Sequence, residues 1–193
     1  MESRSLGGGR LVLVVGASGA GKDTLIEYAK ARLRHECRIH FVRRVITRAA
    51  TVGEDHEPVY VSEFRKQVER KAFALHWEAH GLHYGLPDSI DRWMAKGKVV
   101  VANGSRSIVP RARHRYPDLQ VIHITASPAV LEARLEKRGR EGSESRKARM
   151  ARSASIDIKL DDALTIDNSG ELPLAGDRLV EALVKALPVE GDA

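Results

Sequence analysis

At 193 residues, 42% hydrophobic and 30% charged, the chain suits one α/β domain over residues 1–193, and no apolar run approaches the ~18 residues of a membrane span. Its one cysteine, Cys37, excludes a disulfide framework or thiolate metal cluster, and MESRSLGGGR has no apolar signal core, so a cytoplasmic location is expected. A net charge of +6 calls for an anionic partner, and with 5% aromatics and no stacking platform a small polyphosphate fits better than nucleic acid.

Leu11-Val-Leu-Val-Val15 is a continuous apolar run ending in glycine, the pattern of a buried parallel strand. From Lys22 to about Leu33 the spacing of Leu25, Ile26, Ala29 and Leu33 predicts a helix. Ile39–Val42 reads as a second strand, Glu54–Pro58 as an acidic turn and Val59–Val61 as a short strand. Ser62 is placed to cap a helix reaching about Lys71, although Arg65 stands where a capping box has glutamate. Phe73–Trp77 predicts a strand, Gly81–Pro87 a loop and Asp88–Lys96 a helix. Val99–Val101 is the next buried strand, followed by a helix over Ile108–Arg115 and a strand over Leu119–Thr125. Pro128 suits the first turn of a helix ending at Lys137. Arg138-Gly-Arg-Glu-Gly-Ser-Glu-Ser145 then interrupts two helical segments like a flap. Ala163–Ile166 closes the strands, and Leu172–Leu187 is an amphipathic helix. The alternation of strand and helix argues for a parallel sheet covered on both faces.

Between the first strand and helix lies GASGAGKDT, composed of Gly16, Ala17, Ser18, Gly19, Ala20, Gly21, Lys22, Asp23 and Thr24. It follows the phosphate-binding pattern G-x-x-x-x-G-K-[ST], except that a carboxylate replaces the hydroxyl. The glycines allow backbone N–H groups to surround phosphate oxygens, the helix end adds partial positive charge, and Lys22 reaches the β- and γ-phosphates. Asp23 suits Mg2+, held directly or through a bound water. Thr24 cannot replace it, because adjacent helical residues point about 100° apart; its hydroxyl is as well suited to a bond within its own helix.

Two arginine groups supply positive charge. Arg43, Arg44 and Arg48 lie beside a glycine turn and suit an acceptor phosphate through bidentate contacts. Arg134, Arg138, Arg140, Arg146, Arg149 and Arg152 crowd the flap, where Arg138 and Arg149 are the candidates for neutralising a migrating phosphoryl group. Asn103 ends the middle strand and can bond a substrate or a metal-bound water.

With these motifs in order, the chain resembles the guanylate-kinase-like group of P-loop kinases along nearly its whole length. The resemblance rests on Thr47-Arg48 with Gly53-Glu54, on Glu78 with Gly81-Leu-His-Tyr84-Gly85, and on Arg134 to Arg140 followed by Arg149. It implies a three-layer, mostly parallel P-loop fold with an acceptor region at about 40–90 and a lid at about 138–147. It also implies ATP with Mg2+ as cofactors, and Arg48, Glu78, Tyr84 and Asn103 on the substrate side. Two departures matter: Thr51 replaces a second arginine of the family pattern, and Leu86 replaces the Ser or Thr that meets guanine. Together with GKDT and VVVANGSR, they resemble the branch that phosphorylates ribose 1,5-bisphosphate to 5-phosphoribosyl 1-diphosphate (PRPP) in bacterial phosphonate catabolism. The implied partner is a small phosphorylated sugar. Competing readings are a guanylate or other nucleoside-monophosphate kinase, a non-catalytic phosphopeptide-binding module of the same fold, and a nucleic-acid-binding ATPase.

Overall fold

The computed structural model describes residues 8–49, 55–137 and 160–188. In chain order the first elements are β1 (Arg10–Gly16), α1 (Lys22–Arg32), β2 (Ile39–Phe41), β3 (Arg44–Ile46) and β4 (His56–Pro58). Then come α2 (Val61–Glu69), β5 (Phe73–Ala79), β6 (Leu82–Pro87), α3 (Ser89–Ala95) and β7 (Val99–Asn103). A 3-10 turn at Arg106–Ile108 leads into α4 (Val109–Arg115), followed by β8 (Gln120–Thr125), α5 (Pro128–Lys137), β9 (Leu164–Asp167) and α6 (Leu172–Lys185).

The larger sheet has five strands in the order β2-β7-β1-β8-β9. Every pairing in it is parallel, so all five carboxyl ends lie along one edge. The apolar run of β1 is buried on both faces, as its unbroken hydrophobicity requires. Val12 and Val14 face Leu25 and Ala29 of α1 and Leu179 of α6, while Leu11, Leu13 and Val15 face Ile90, Met94, Val109 and Ala112 of α3 and α4. This is the three-layer arrangement expected. Each fully buried Val, Leu or Ile adds about 1.5–3 kcal/mol, which makes β1 a rigid base for the loop that follows it.

The smaller sheet runs β4-β3-β6-β5 and is mixed: β3 pairs parallel with β4 and antiparallel with β6, and β5–β6 is an antiparallel hairpin. Strict strand–helix alternation therefore ends here. Residues 82–87, expected as a loop, form a strand because β5 and β3 supply hydrogen-bonding partners on both sides. His80 and Gly81 turn the hairpin with left-handed φ values of 55° and 70°. The strand expected at 59–61 lies at 56–58, in register with β3. Tyr60, 85% exposed, instead precedes α2, with Phe64 N–H donating to its carbonyl at 2.9 Å. Ser62 thus lies inside α2 rather than capping it, and β3 itself was not anticipated. The flap, with Arg138 and Arg149, lies outside the described residues, as do Thr51, Gly53 and Glu54.

Gly176 of α6 packs directly on Tyr28 of α1, where an added Cβ would come within 2.5 Å of the ring. The ring is tethered, since its hydroxyl donates to Asp177 at 2.8 Å. Gly176→Ala gains about 1 kcal/mol of helix propensity but meets an overpacking cost of about 1–3 kcal/mol. We expect a net loss near 1 kcal/mol, read as a Tm lower by about 2–4 °C in calorimetry. An unchanged or higher Tm would mean that the α1–α6 interface yields freely.

Candidate active site

The glycine loop leaves the carboxyl end of β1 and turns into α1. Gly21, at φ 88°, is in the left-handed region, and a Cβ there would overlap the Asn168 side-chain amide. A Cβ on Gly16 would strike the Ile124 carbonyl. With Gly16 at φ 155°, glycine is thus required for both conformation and space at both positions. Among the described residues no side chain caps α1, so its first N–H groups are left as donors for an anion. Lys22 folds over the loop, donating from Nζ to the carbonyls of Gly16 at 2.9 Å and Ala17 at 3.0 Å. Thr24 is exposed, and no hydrogen bond among the described residues ties its hydroxyl into α1.

The loop is held from behind by two residues. Asn168, just past β9 and 3% exposed, donates from Nδ2 to the Ala20 carbonyl at 2.7 Å. Arg134 of α5 donates to the Asn168 carbonyl at 2.9 Å and to Ala20 at 3.4 Å. Arg134 was anticipated only as part of the flap's arginine run, and Asn168 not at all. The signal available for Asn168 was the turn-forming Asn168-Ser-Gly170 after a short strand.

On the front of the loop, Asp23 Oδ1 accepts from Arg44 Nη2 at 2.9 Å and from Asn103 Nδ2 at 2.7 Å. These contacts join α1, β3 and β7. Asn103 is buried, and its Oδ1 has no hydrogen-bond partner among the described residues. Of the three arginines expected to form one phosphate site, two pair with carboxylates of the chain. Arg43 pairs with Asp55 at 2.9 Å and donates to the His56 carbonyl at 2.9 Å. Arg44 goes to Asp23. Arg48 lies two residues past β3, where the buried His56 ring bonds its carbonyl through Nε2 at 3.2 Å.

The hairpin register separates two other expected site residues. Tyr84 pairs with Trp77 in stacked rings 5.3 Å apart, on the face it shares with Ile46 and hence with Arg44. Glu78 pairs with His83 on the opposite face, where Phe64 of α2 stacks on His83. Tyr84 therefore projects on the phosphate-loop side and Glu78 away from it.

Further positive charge gathers at the carboxyl edge. His123 of β8 lies beside Val15 in register. Burial, then the Arg106 and Lys22 cations, push its pKa below the ordinary value. Burial also lowers that of Arg106, the residue that opens the turn after β7. Arg106 and Lys22 thus flank a histidine that they help to keep neutral, and such a concentration of cations favours an anion.

A parallel sheet with a lysine-bearing glycine loop at its carboxyl edge, facing a small mixed sheet, defines a P-loop kinase of guanylate-kinase type. Guanylate kinase from Anaplasma phagocytophilum shares this fold, with a TM-score of 0.67 at 20% identity over 94% of this chain and 88% of that one. A family described as AAA domain matches residues 12–156. Ribose 1,5-bisphosphate phosphokinase PhnN of Agrobacterium fabrum is 44% identical over 90% of this chain and 95% of its own length. The protein of that name from Burkholderia pseudomallei is 47% identical over 92% and 96%, and that from Acidiphilium cryptum 54% over 76% and 78%. The chain belongs to the ribose 1,5-bisphosphate phosphokinase family and is an ATP-dependent phosphotransferase.

A nucleotide at the loop would bring negative charge near Lys22 and His123. In the free protein we expect His123 to titrate below its ordinary value of 6.5, and ATP to move the midpoint upward. Binding near pH 6 should then take up protons. The imidazole resonances followed by NMR, with and without ATP, measure both, and a midpoint unmoved by ATP would place His123 away from the triphosphate.

Proposed function

We propose that this protein transfers the γ-phosphoryl group of ATP to the anomeric phosphate of ribose 1,5-bisphosphate, forming PRPP and ADP. The observation that carries this reading is the identity of 44–54% to relatives bearing that activity in their names. The acceptor side supports it. Leu86, where guanylate kinases present a hydroxyl to the base, is 0% exposed and packed with Leu75 and Ile90, so it offers a purine no polar contact.

The chemistry follows from charge. A phosphate oxygen of the acceptor attacks the γ-phosphorus, the bond to the β–γ bridging oxygen breaks, and ADP leaves with that electron pair. The acceptor phosphate is already anionic near neutral pH, so no general base is needed. Lys22 and the N–H groups of the loop would hold the β- and γ-phosphates in place. Arg48 would hold the acceptor phosphate, with Tyr84 on the same side. Arg138 and Arg149 would neutralise charge on the migrating group.

The residues present fit Mg2+. Asp23 supplies one hard carboxylate beside the loop, and the unpartnered Oδ1 of Asn103 suits a metal-bound water. Among the described residues no group of three His, Cys, Asp or Glu side chains converges on a metal position, which matches an ion carried mainly by phosphate oxygens. When bound, Mg2+ neutralises charge on the β- and γ-phosphates.

A kinase screen with ATP and GMP, ribose 5-phosphate or ribose 1,5-bisphosphate, resolved by 31P NMR, should give product only with the bisphosphate. Efficient GMP turnover would overturn the acceptor assignment. Lys22→Ala should abolish transfer while circular dichroism stays unchanged, because the side chain bonds loop carbonyls rather than core groups. Wild-type turnover in a folded variant would refute the loop's role.

Arg48→Ala should raise the acceptor KM and leave that of ATP nearly unchanged. Loss of one charge-assisted contact is worth about 1.5–3 kcal/mol, or roughly ten- to hundredfold. Steady-state kinetics with each substrate varied in turn test this, and a raised ATP KM alone would place Arg48 on the donor side.

A further inference from the structure

Asp23 puts a negative charge in the first turn of the helix whose amino end faces a triphosphate. Left alone, that charge would repel the ligand. The compensating cation comes from the smaller sheet: Arg44 of β3, whose side chain is only 10% exposed, sits 2.9 Å from Asp23 Oδ1. Asn103 adds a 2.7 Å bond to the same oxygen from the end of β7. The carboxylate is thus fixed by donors from both sheets.

A second link between α1 and the region around β4, Lys30 to Asp55 at 3.0 Å, joins side chains 45% and 43% exposed. Solvent screening makes such a pair weak. The Asp23–Arg44 pair is the better shielded of the two, and it lies beside the phosphate loop. Asp23 also sits one residue from Lys22, whose Nζ spans the loop carbonyls. Any shift of the carboxylate is therefore transmitted to the start of α1 and the lysine it carries.

We propose that Arg44 is a positioning residue for phosphoryl transfer: it neutralises Asp23 and fixes the carboxylate, so that an acidic residue is tolerated beside a triphosphate. Because Arg44 stands on the smaller sheet, the same contact sets the spacing between the acceptor side and the donor loop. This rests on the reading of the loop as an ATP site. It assigns to Arg44 a role acting through Asp23, distinct from a grip on either substrate.

The test is a double-mutant cycle read by calorimetry of ATP binding in EDTA, on wild type, Arg44→Ala, Asp23→Asn and the double variant. Arg44→Ala should weaken metal-free binding about tenfold when Asp23 is present, and about threefold or less when it is asparagine. Arg44→Lys, which keeps the charge, should recover most of the loss. A role that merely supports the sheet would weaken binding equally in both backgrounds and lower Tm in parallel. Equal weakening, or none, overturns the proposal while leaving ATP binding by the wild type intact. Wild-type protein that binds no ATP, with or without Mg2+, overturns the nucleotide reading and this inference with it.

Discussion

The Oδ1 oxygen of Asp23 takes hydrogen bonds from Arg44 and Asn103, donors that belong to different sheets. A carboxylate beside a phosphate loop is electrostatically awkward unless cations surround it. The fold meets that constraint by bringing β3 close enough to the start of α1 for a guanidinium to reach the acidic residue. The smaller sheet is thereby attached to the glycine loop as well as to the core, through a contact partly shielded from water. Asn103, which closes β7 where other phosphate-loop proteins carry an aspartate, contributes a neutral amide there, so no second negative charge is added.

The glycine loop is consequently held from two sides by different kinds of bond. Behind it, Asn168 and Arg134 bond to backbone carbonyls and define its shape. In front, Asp23 and its partners define its charge. Lys22 and the first N–H groups of α1 lie between, and Arg106 extends the positive edge just past the end of β7. Backbone dipoles and fixed cations in a partly dry cleft act without reorganising when charge migrates, which is how phosphoryl transfer is accelerated without a general base.

The parts of this arrangement that were legible in the sequence are those with a local cause. The apolar run of β1, the glycines and Lys22 predict strand, loop and helix, because burial and backbone conformation leave few other uses for them. The smaller sheet was less legible. Leu82–Pro87 does alternate, with Leu82, Tyr84 and Leu86 two residues apart, but Gly81, Gly85 and Pro87 read as loop residues, and the strand exists because β5 and β3 flank it. The apolar Val59-Tyr-Val61 resembled a strand, but the hydrogen-bonding edge of β3 is three residues long and is used by 56–58. Glu78 and Tyr84 seemed to share a site, since their motifs are near neighbours in the chain. The hairpin register puts them on opposite faces, and no spacing rule reveals register before the partner strands are known.

By itself the sequence pointed to a phosphate-binding loop at GASGAGKDT and to the phosphoryl-transferring kinases, because that loop's pattern is written in consecutive residues. The tertiary structure alone decided that Arg43 pairs with Asp55, that Arg44 pairs with Asp23, and that Asn168 braces the loop 148 residues away. Those pairings depend on strand register and on the approach of two sheets. Such distances are set by packing of the whole core, and no local pattern encodes them.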